Sequence, residues 1–516
     1  MGRVRALSCL GIVLVATGCK VGPDFTRPQA TVNANWQGVR DPRLASQTAA
    51  DGRWWQTFSD PALDRLIERA YKQNLPLQIS GLRIAEARAQ LGVATGQMFP
   101  QLQIASGSAT AVGLSENAAA GVIPGMRHYG DFRLGFDAGW ELDFWGKYRR
   151  GIEAASAALL ASVADYYSGL VSLNAEVART YVVIRTFEVL VDQARENTRV
   201  QEQALDIAQS RFKNGATSEL DVAQATTLLE STRAAVPQLL IGEQQARNAL
   251  STLLGQQPGT VESLLAGARV IPRAPAQVAV GVPAQMLRRR PDIAAAEMLA
   301  AAQSARIGMS KAELFPSFTL FGSIGLNSVV TEAGWKNLFS PSSLFYSIGP
   351  RIVWPFFNYG RLANAVRVED ARFQQSLVNY RDTVVRAAQE VEDALAGYLR
   401  SQEALVFDQK AEIAARRSVD LALVQYRDGA ADYQRVLDAQ RSLLERQNRL
   451  AQTNSAVATN LIALYKALGG GWETRQGQRV VPEQTEQDMK QRTHWGDLLS
   501  QPRAVEKSTN QPAGKQ

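Results

Sequence analysis

Two stretches of this chain, Lys147 to Ser210 and Gly360 to Tyr426, each run for more than sixty residues without a proline. As uninterrupted helix, such a stretch is on the order of 90 to 100 Å long. An ordinary globular core needs no element of that length; a structure that spans a gap does. The two runs are also related. Glu176-Val177 returns as Glu390-Val391, Gly215-Ala216 as Gly429-Ala430, and Leu254-Gly255 as Leu468-Gly469, each at an offset of 214 residues. The chain reads as an internal duplication of one long-helix unit.

The long runs carry a packing pattern. From Leu159 the apolar positions step by four and three through Val163, Tyr166, Leu170, Leu173 and Val177, then Ile184, Phe187 and Val191, with Thr180 interrupting the set. That spacing keeps one seam turned toward a partner helix and imposes a left-handed supercoil. Alanines at 154, 155, 157, 158, 161 and 164 leave room for a second close helix contact.

The amino terminus directs the chain out of the cytoplasm. Arg3 and Arg5 precede an apolar segment, Ala6 to Ala16, followed by Thr17-Gly18-Cys19. Basic, apolar and then small residues make a secretory signal. The cysteine after the small residues predicts acylation of Cys19 as the first residue of the mature chain. Cys9 lies in the removable segment, so no disulfide forms within the mature protein. A diacyl group provides the two chains that stable anchoring requires. Lys20 after the cysteine is compatible with sorting to an outer membrane.

Downstream, no stretch approaches the roughly eighteen apolar residues of a membrane-spanning helix. Strand patterns occur instead. Phe132, Leu134, Phe136, Ala138, Trp140, Leu142 and Phe144 alternate with Arg133, Gly135, Asp137, Gly139, Glu141 and Asp143. In the second half, Phe318, Leu320, Ile324 and Leu326 alternate with polar residues, as do Leu344, Tyr346, Ile348, Ile352, Trp354 and Phe356. Period two with one apolar and one polar face fits lipid outside and water inside. The predicted hairpins are 99–113 with 130–144, and 315–329 with 344–357. Four strands cannot close a barrel, and an open edge is not tolerated in lipid. Strands are therefore pooled among copies: two copies give a filled interior, three give twelve strands and an aqueous bore. Three copies are expected.

At this point the chain resembles a known family, the outer-membrane factors of tripartite (RND-type) efflux pumps, or TolC-like channel-tunnels, in their lipoprotein branch. The resemblance rests on Cys19-Lys-Val-Gly-Pro-Asp-Phe-Thr-Arg-Pro28, Trp54-Trp55 with Phe58-Ser-Asp-Pro61, and Trp140-Glu-Leu-Asp-Phe-Trp-Gly146. It continues through Leu287-Arg-Arg-Arg-Pro-Asp-Ile293, Phe315-Pro316, Val436-Leu-Asp-Ala-Gln-Arg441 and Ala467-Leu-Gly-Gly-Gly-Trp472. It implies an α+β membrane protein: a homotrimeric twelve-stranded outer-membrane β-barrel, four strands per chain, continuous with a long α-helical coiled-coil periplasmic barrel. It implies a periplasmic adaptor (membrane fusion) protein and an inner-membrane RND-type pump as partners, besides outer-membrane lipid.

The expected function is a passive exit channel for drugs or other small toxic compounds, lipid-anchored in the outer membrane with a large periplasmic portion. The alternative is the channel of a type I protein secretion system. No enzyme activity and no cofactor are expected, because the chain's two histidines, His128 in a Gly-rich loop and His494 in a polar tail, form no catalytic or metal constellation. A net charge of +7 without a basic stripe gives no nucleic-acid partner.

By the same resemblance, the helix ends at the second turn constrict the periplasmic mouth. Asp438 matches the acidic position of the family's Leu-Asp-Ala-Gln motif; Arg435 departs from relatives that carry a second aspartate there. The expected gate is Asp438, Arg435, Arg441 and Asp432, with both arginines within one helical turn of Asp438 as counter-charges. Asn214, Gly215, Asp428 and Gly429 are the helix tips expected to contact the adaptor. Trp54 and Trp55 read as packing anchors. The expected divisions are a signal peptide at 1–18, a lipid-tethered segment at 19–60, a first repeat at 61–254, a linker at 255–286, a second repeat at 287–469, and a C-terminal collar segment with a disordered tail at 470–516. The long helices are expected at 147–212 and 360–427.

Overall fold

The computed structural model describes residues 20–29, 31–38, 40–45, 52–115, 128–281, 283–330 and 337–499. The signal segment, Cys19 and the tail from residue 500 lie outside the described residues. The helices are α1 (Pro61–Gln73), α2 (Leu75–Gly96), α3 (Lys147–Lys213), α4 (Glu219–Leu253), α5 (Pro283–Arg289), α6 (Pro291–Ala312), α7 (Arg361–Arg427), α8 (Tyr433–Ala467) and α9 (Glu483–Arg492). The strands are β1 (Leu44–Ala45), β2 (Leu102–Gly113), β3 (His128–Leu142), β4 (Val278–Ala279), β5 (Ser317–Val330) and β6 (Leu344–Val353). Helices α3 and α7 have 67 residues each, and α4 and α8 have 35 each. The duplication inferred from scattered dipeptides is thus a duplication of whole elements, in a chain of the α+β class.

Two compact units divide the chain. The first holds the described residues up to Pro28, with Ala85–Ala161 and Ala296–Tyr380. Its centre is an antiparallel sheet in the order β2-β3-β5-β6. The middle pair, β3 and β5, joins the two repeats, with Leu134 opposite Leu326 and Trp140 opposite Leu320. On the other face Arg133 lies over the Phe345 ring at 4.8 Å and Arg351 over Phe321 at 5.9 Å.

The strands end earlier than the alternation suggested. Trp354 and Phe356 fall beyond β6, where Pro355 removes a ladder donor. Phe144 and Asp143 fall beyond β3. Asp143 instead accepts from the backbone amides of Tyr148 and Arg149, at 3.0 and 2.9 Å, and so starts α3. His128 is the first residue of β3 rather than part of a loop.

The second unit holds the described residues of 29–84, Ser162–Ala295 and Arg381–Gln516. The seam of α3 is its core: Tyr166, Leu170, Leu173, Val177, Ile184 and Val191 are all buried, and so is Thr180. Each apolar side chain of this size contributes about 1.5 to 3 kcal/mol on full burial. One window of α3 is, by composition alone, apolar enough to cross a membrane. That departs from the expectation that no such stretch exists. The difference arises because many of the apolar residues that pack the seam fall in one helix.

Trp54 is 1% exposed, with its ring stacked on Tyr465 at 5.2 Å, so the tryptophan pair does anchor packing. Arg290, from the Arg-rich motif, donates to the Ala467 carbonyl at 2.8 Å and pairs with Asp292 and Glu390. A cation at the carboxyl end of α8 satisfies a terminal carbonyl and complements the helix dipole.

Candidate functional site

Both long helices end in the same turn. After α3, Gly215 donates to the Phe212 carbonyl at 2.9 Å and Ala216 to Arg211 at 2.8 Å. After α7, Gly429 donates to Tyr426 at 3.1 Å and Ala430 to Gln425 at 2.8 Å. Gly215 and Gly429 have φ of 72° and 77°, the left-handed conformation that closes this cap and that glycine adopts at little cost.

Around these turns lie the residues named from the sequence, all exposed in the single chain. The Asn214 side chain donates to the Ser210 carbonyl at 2.9 Å. Asp428 lies 3.6 Å from Arg427. Asp432 caps α8, accepting from the Arg435 amide at 3.4 Å. Asp438 accepts from Gln434 at 3.0 Å. The arginine counter-charges expected for Asp438 are not engaged within one chain: among the described residues, neither Arg435 nor Arg441 forms an ion pair. Both point outward from the exposed face of α8.

What ties the two turns together is a set the sequence reading did not single out. Tyr426 is 1% exposed, and its hydroxyl donates to Asp221 at 3.0 Å, bridging the repeats. The Arg211 guanidinium lies over the Tyr426 ring at 4.7 Å and also donates to the Tyr426 carbonyl. Thr217 donates to the same Asp221 oxygen. Tyr433 meets Tyr426 edge to face at 5.2 Å. Burial and the Asp221 carboxylate push the Tyr426 hydroxyl up to about 12, so it remains a donor at neutral pH. Beneath the tyrosines, Ala204, Ala208, Ala225, Leu228, Val436 and Leu437 form one buried cluster. The available signal was a tyrosine at the last turn of α7 where the first repeat has Phe212.

In the first unit, the residues directly after Cys19 are firmly held. Val21 donates to the Trp145 carbonyl at 3.0 Å. Arg150, 1% exposed, donates to the carbonyls of Val21 and Gly22, both at 3.1 Å, and pairs with Asp24 and Glu153. Lys20 reaches Glu153 at 2.7 Å. Gly22 passes so close to α6 that a Cβ would lie 2.4 Å from the Gly308 Cα. Residues 20–24 thus form an ordered strap held by Trp145, Arg150 and Glu153. Among the described residues no cluster of His, Cys, Asp or Glu is arranged to hold a metal.

Comparison with known proteins gives a consistent picture. Residues 66–256 and 282–470 match the sequence model of the family described as outer membrane efflux protein. The probable efflux pump outer membrane protein TtgC of Pseudomonas putida is 32% identical over 475 residues, 92% of this chain and 96% of that protein. The probable outer membrane lipoprotein SilC of Salmonella typhimurium is 31% identical over 474 residues, 92% of this chain and all of that one. Among solved structures, the outer-membrane channel OprN superposes with a TM-score of 0.82 at 31% identity, covering 88% of this chain and all of OprN.

Proposed function

The chain belongs to the outer membrane efflux protein family, and we propose that it is the exit duct of a tripartite efflux system. Three copies conduct drugs or other small toxic compounds delivered by an inner-membrane RND-type pump and a periplasmic adaptor. The observation that carries this reading is the four-stranded sheet, whose outer members β2 and β6 each leave one edge open. In lipid such edges must be paired. Pairing β6 of one copy with β2 of the next closes twelve strands around a water-filled bore, where eight would be filled by side chains. The efflux role named for TtgC favours small compounds over secreted proteins as cargo.

In this reading the channel is gated at the helix tips. Tyr426, Asp221 and Arg211 hold the second turn against the first, and exposed Asp438, Arg435 and Arg441 are available to the other copies at the mouth, with Asp432 fixing the start of α8. Asn214, Gly215, Asp428 and Gly429 form the surface offered to the adaptor. Acylation of Cys19 is supported by the ordered strap that follows it and by the lipoprotein name of SilC. The test is the mass of the detergent-purified protein with single-channel recording in planar bilayers. The expected result is a trimer that conducts rarely at rest. A stable monomer with its full strand content would end the duct reading.

A further inference from the structure

The interface between α3 and α8 contains buried amides that the apolar seam does not explain. The two helices run antiparallel: Asn197 meets Gln447, while Ala204 and Ala208 share a cluster with Val436 and Leu437. On α3 the seam positions are Asn197, Gln201, Ala204 and Ala208; on α8 they include Tyr433, Val436, Gln440 and Gln447. Asn197 Nδ2 donates to Gln447 Oε1 at 2.7 Å, with both residues buried. Nearer the tips the pattern changes. Gln440 is 4% exposed, yet among the described residues neither its oxygen nor its nitrogen has a hydrogen-bond partner. The side-chain oxygen of Gln201, 3% exposed, also has none. These atoms have almost no accessible surface in the single chain, so another copy cannot reach them in this conformation.

A polar seam residue with a partner specifies register; one without a partner costs stability and is retained only where something else is gained. We propose that this interface is a built-in release device for the gate, resting on the channel reading above. The Asn197–Gln447 pair holds the register, and the unpartnered Gln201 and Gln440 weaken the packing on its tip side, so that α8 can part from α3 there. When the segment parts, both amides gain water. A second feature marks the same distance from the mouth. Helix α4 contains Pro237, which cannot donate to the Arg233 carbonyl and so loosens its own helix. Counted from the tip ends of their helices, Asn197, Gln447 and Pro237 all lie about 20 to 27 Å away. The seam pin and the helix weak point thus fall at one level, and the orphaned amides lie between that level and the tips.

The test uses the full-length trimer in detergent and in bilayers. Gln440→Leu replaces both orphaned groups with an apolar side chain, and should slow hydrogen exchange of the 433–440 amides about tenfold and lengthen closed dwells to match. Gln201→Leu should act in the same direction. Asn197→Ala should raise exchange and shorten closed dwells, because it orphans Gln447. Gln440→Met serves as a second variant should the branched leucine prevent trimer formation. Unchanged or faster exchange in trimeric Gln440→Leu or Gln440→Met overturns the device, whether or not the pore conducts. Slower exchange in protein that forms no conducting trimer would leave the device standing and remove the duct reading instead.

Discussion

The two helix tips of this chain are one backbone with two chemistries. Each is a 67-residue helix, a glycine-capped turn and a 35-residue helix, with equivalent hydrogen bonds at an offset of 214 residues. At the first tip Phe212 is 43% exposed and Leu220 is 62% exposed. At the second, the position equivalent to Phe212 is Tyr426, buried against Arg211 and Asp221, and the surface carries Asp428, Asp432, Arg435 and Asp438. Ser218 starts α4 without a side-chain cap, whereas Asp432 caps α8. Divergence after duplication has left the fold of the turn alone and changed what it presents. The first tip sets exposed Phe212 and Leu220 beside its charges, Lys213 and Glu219, whereas the second buries its aromatic ring and shows charge without such apolar neighbours. In a threefold assembly the mouth would alternate between the two kinds.

The two tips should differ most at the aromatic pair. Tyr426→Ala removes a buried ring and should destabilise the tip segment by about 3 to 5 kcal/mol. Phe212→Ala, the same change at the equivalent position, removes a half-exposed ring and should cost no more than about 0.5 kcal/mol. Hydrogen exchange across 204–213 and 420–437 measures both. Equal effects would mean that the two tips are energetically alike despite their surfaces.

Tyr426→Phe isolates the bridge between repeats. It keeps the ring and loses only the bond to the Asp221 carboxylate, worth about 1.5 to 3 kcal/mol, so open events in bilayers should become at least roughly tenfold more frequent. The hydroxyl also gives the second tip a pH dependence that Phe212 cannot have. Its folded pKa, about 12, is raised from 10. The contribution is therefore complete below pH 10 and is lost as pH rises toward 12. Resting conductance that is flat from pH 6 to about 9 and rises above 10 is expected of the wild type, and not of Tyr426→Phe.

Much of the architecture is legible in the amino-acid sequence. Proline-free length and the constant offset contain the helices and their duplication, and period-two alternation contains the strands, because both signals are local. The ends were less clear. Phe144, Trp354 and Phe356 continue the alternation past the point where Asp143 and Pro355 end the ladder. Side-chain fates at the tips were hardly legible, the tyrosine in place of Phe212 being the one signal. Asp432 and Asp438 look equivalent as charges, yet one caps a helix and the other faces solvent beside Gln434. Tyr426 acquires its role from Asp221, 205 residues away, and Arg150 from the strap at Val21 and Gly22. Such pairings depend on which helix faces are brought together, which no window of the sequence contains.

The caps offer a smaller contrast. Asp432→Ala removes the side-chain bond at the start of α8 and should cost about 1 kcal/mol. Ser218→Ala should be close to neutral, because Ser218 makes no such bond. Thermal unfolding together with exchange of the first turn of each helix would separate them. A loss of similar size at Ser218 would mean that its hydroxyl caps α4 in solution, and the tips would then differ in charge and aromatic burial alone.

The smallest change in stability is expected at Asp438, and it decides what the charge on the second tip is for. Its counterpart at the same offset is Gln224, so Asp438→Gln makes the second tip resemble the first with little change in size. The contact with Gln434 is exposed and four residues away on the same helix, a pairing worth a few tenths of a kcal/mol at most. Helix exchange and trimer stability should therefore match the wild type. Among the described residues of one chain Asp438 has no arginine partner, so any larger effect would have to arise between copies, where the proposed mouth would bring three carboxylates and their neighbouring arginines together. Resting conductance should rise if those contacts hold the mouth closed, and the rise should shrink in high salt, which screens exposed pairs. If trimeric Asp438→Gln keeps wild-type conductance at low salt, the charge of the second tip is solvation only, and restraint of the mouth falls to Tyr426, Asp221 and Arg211.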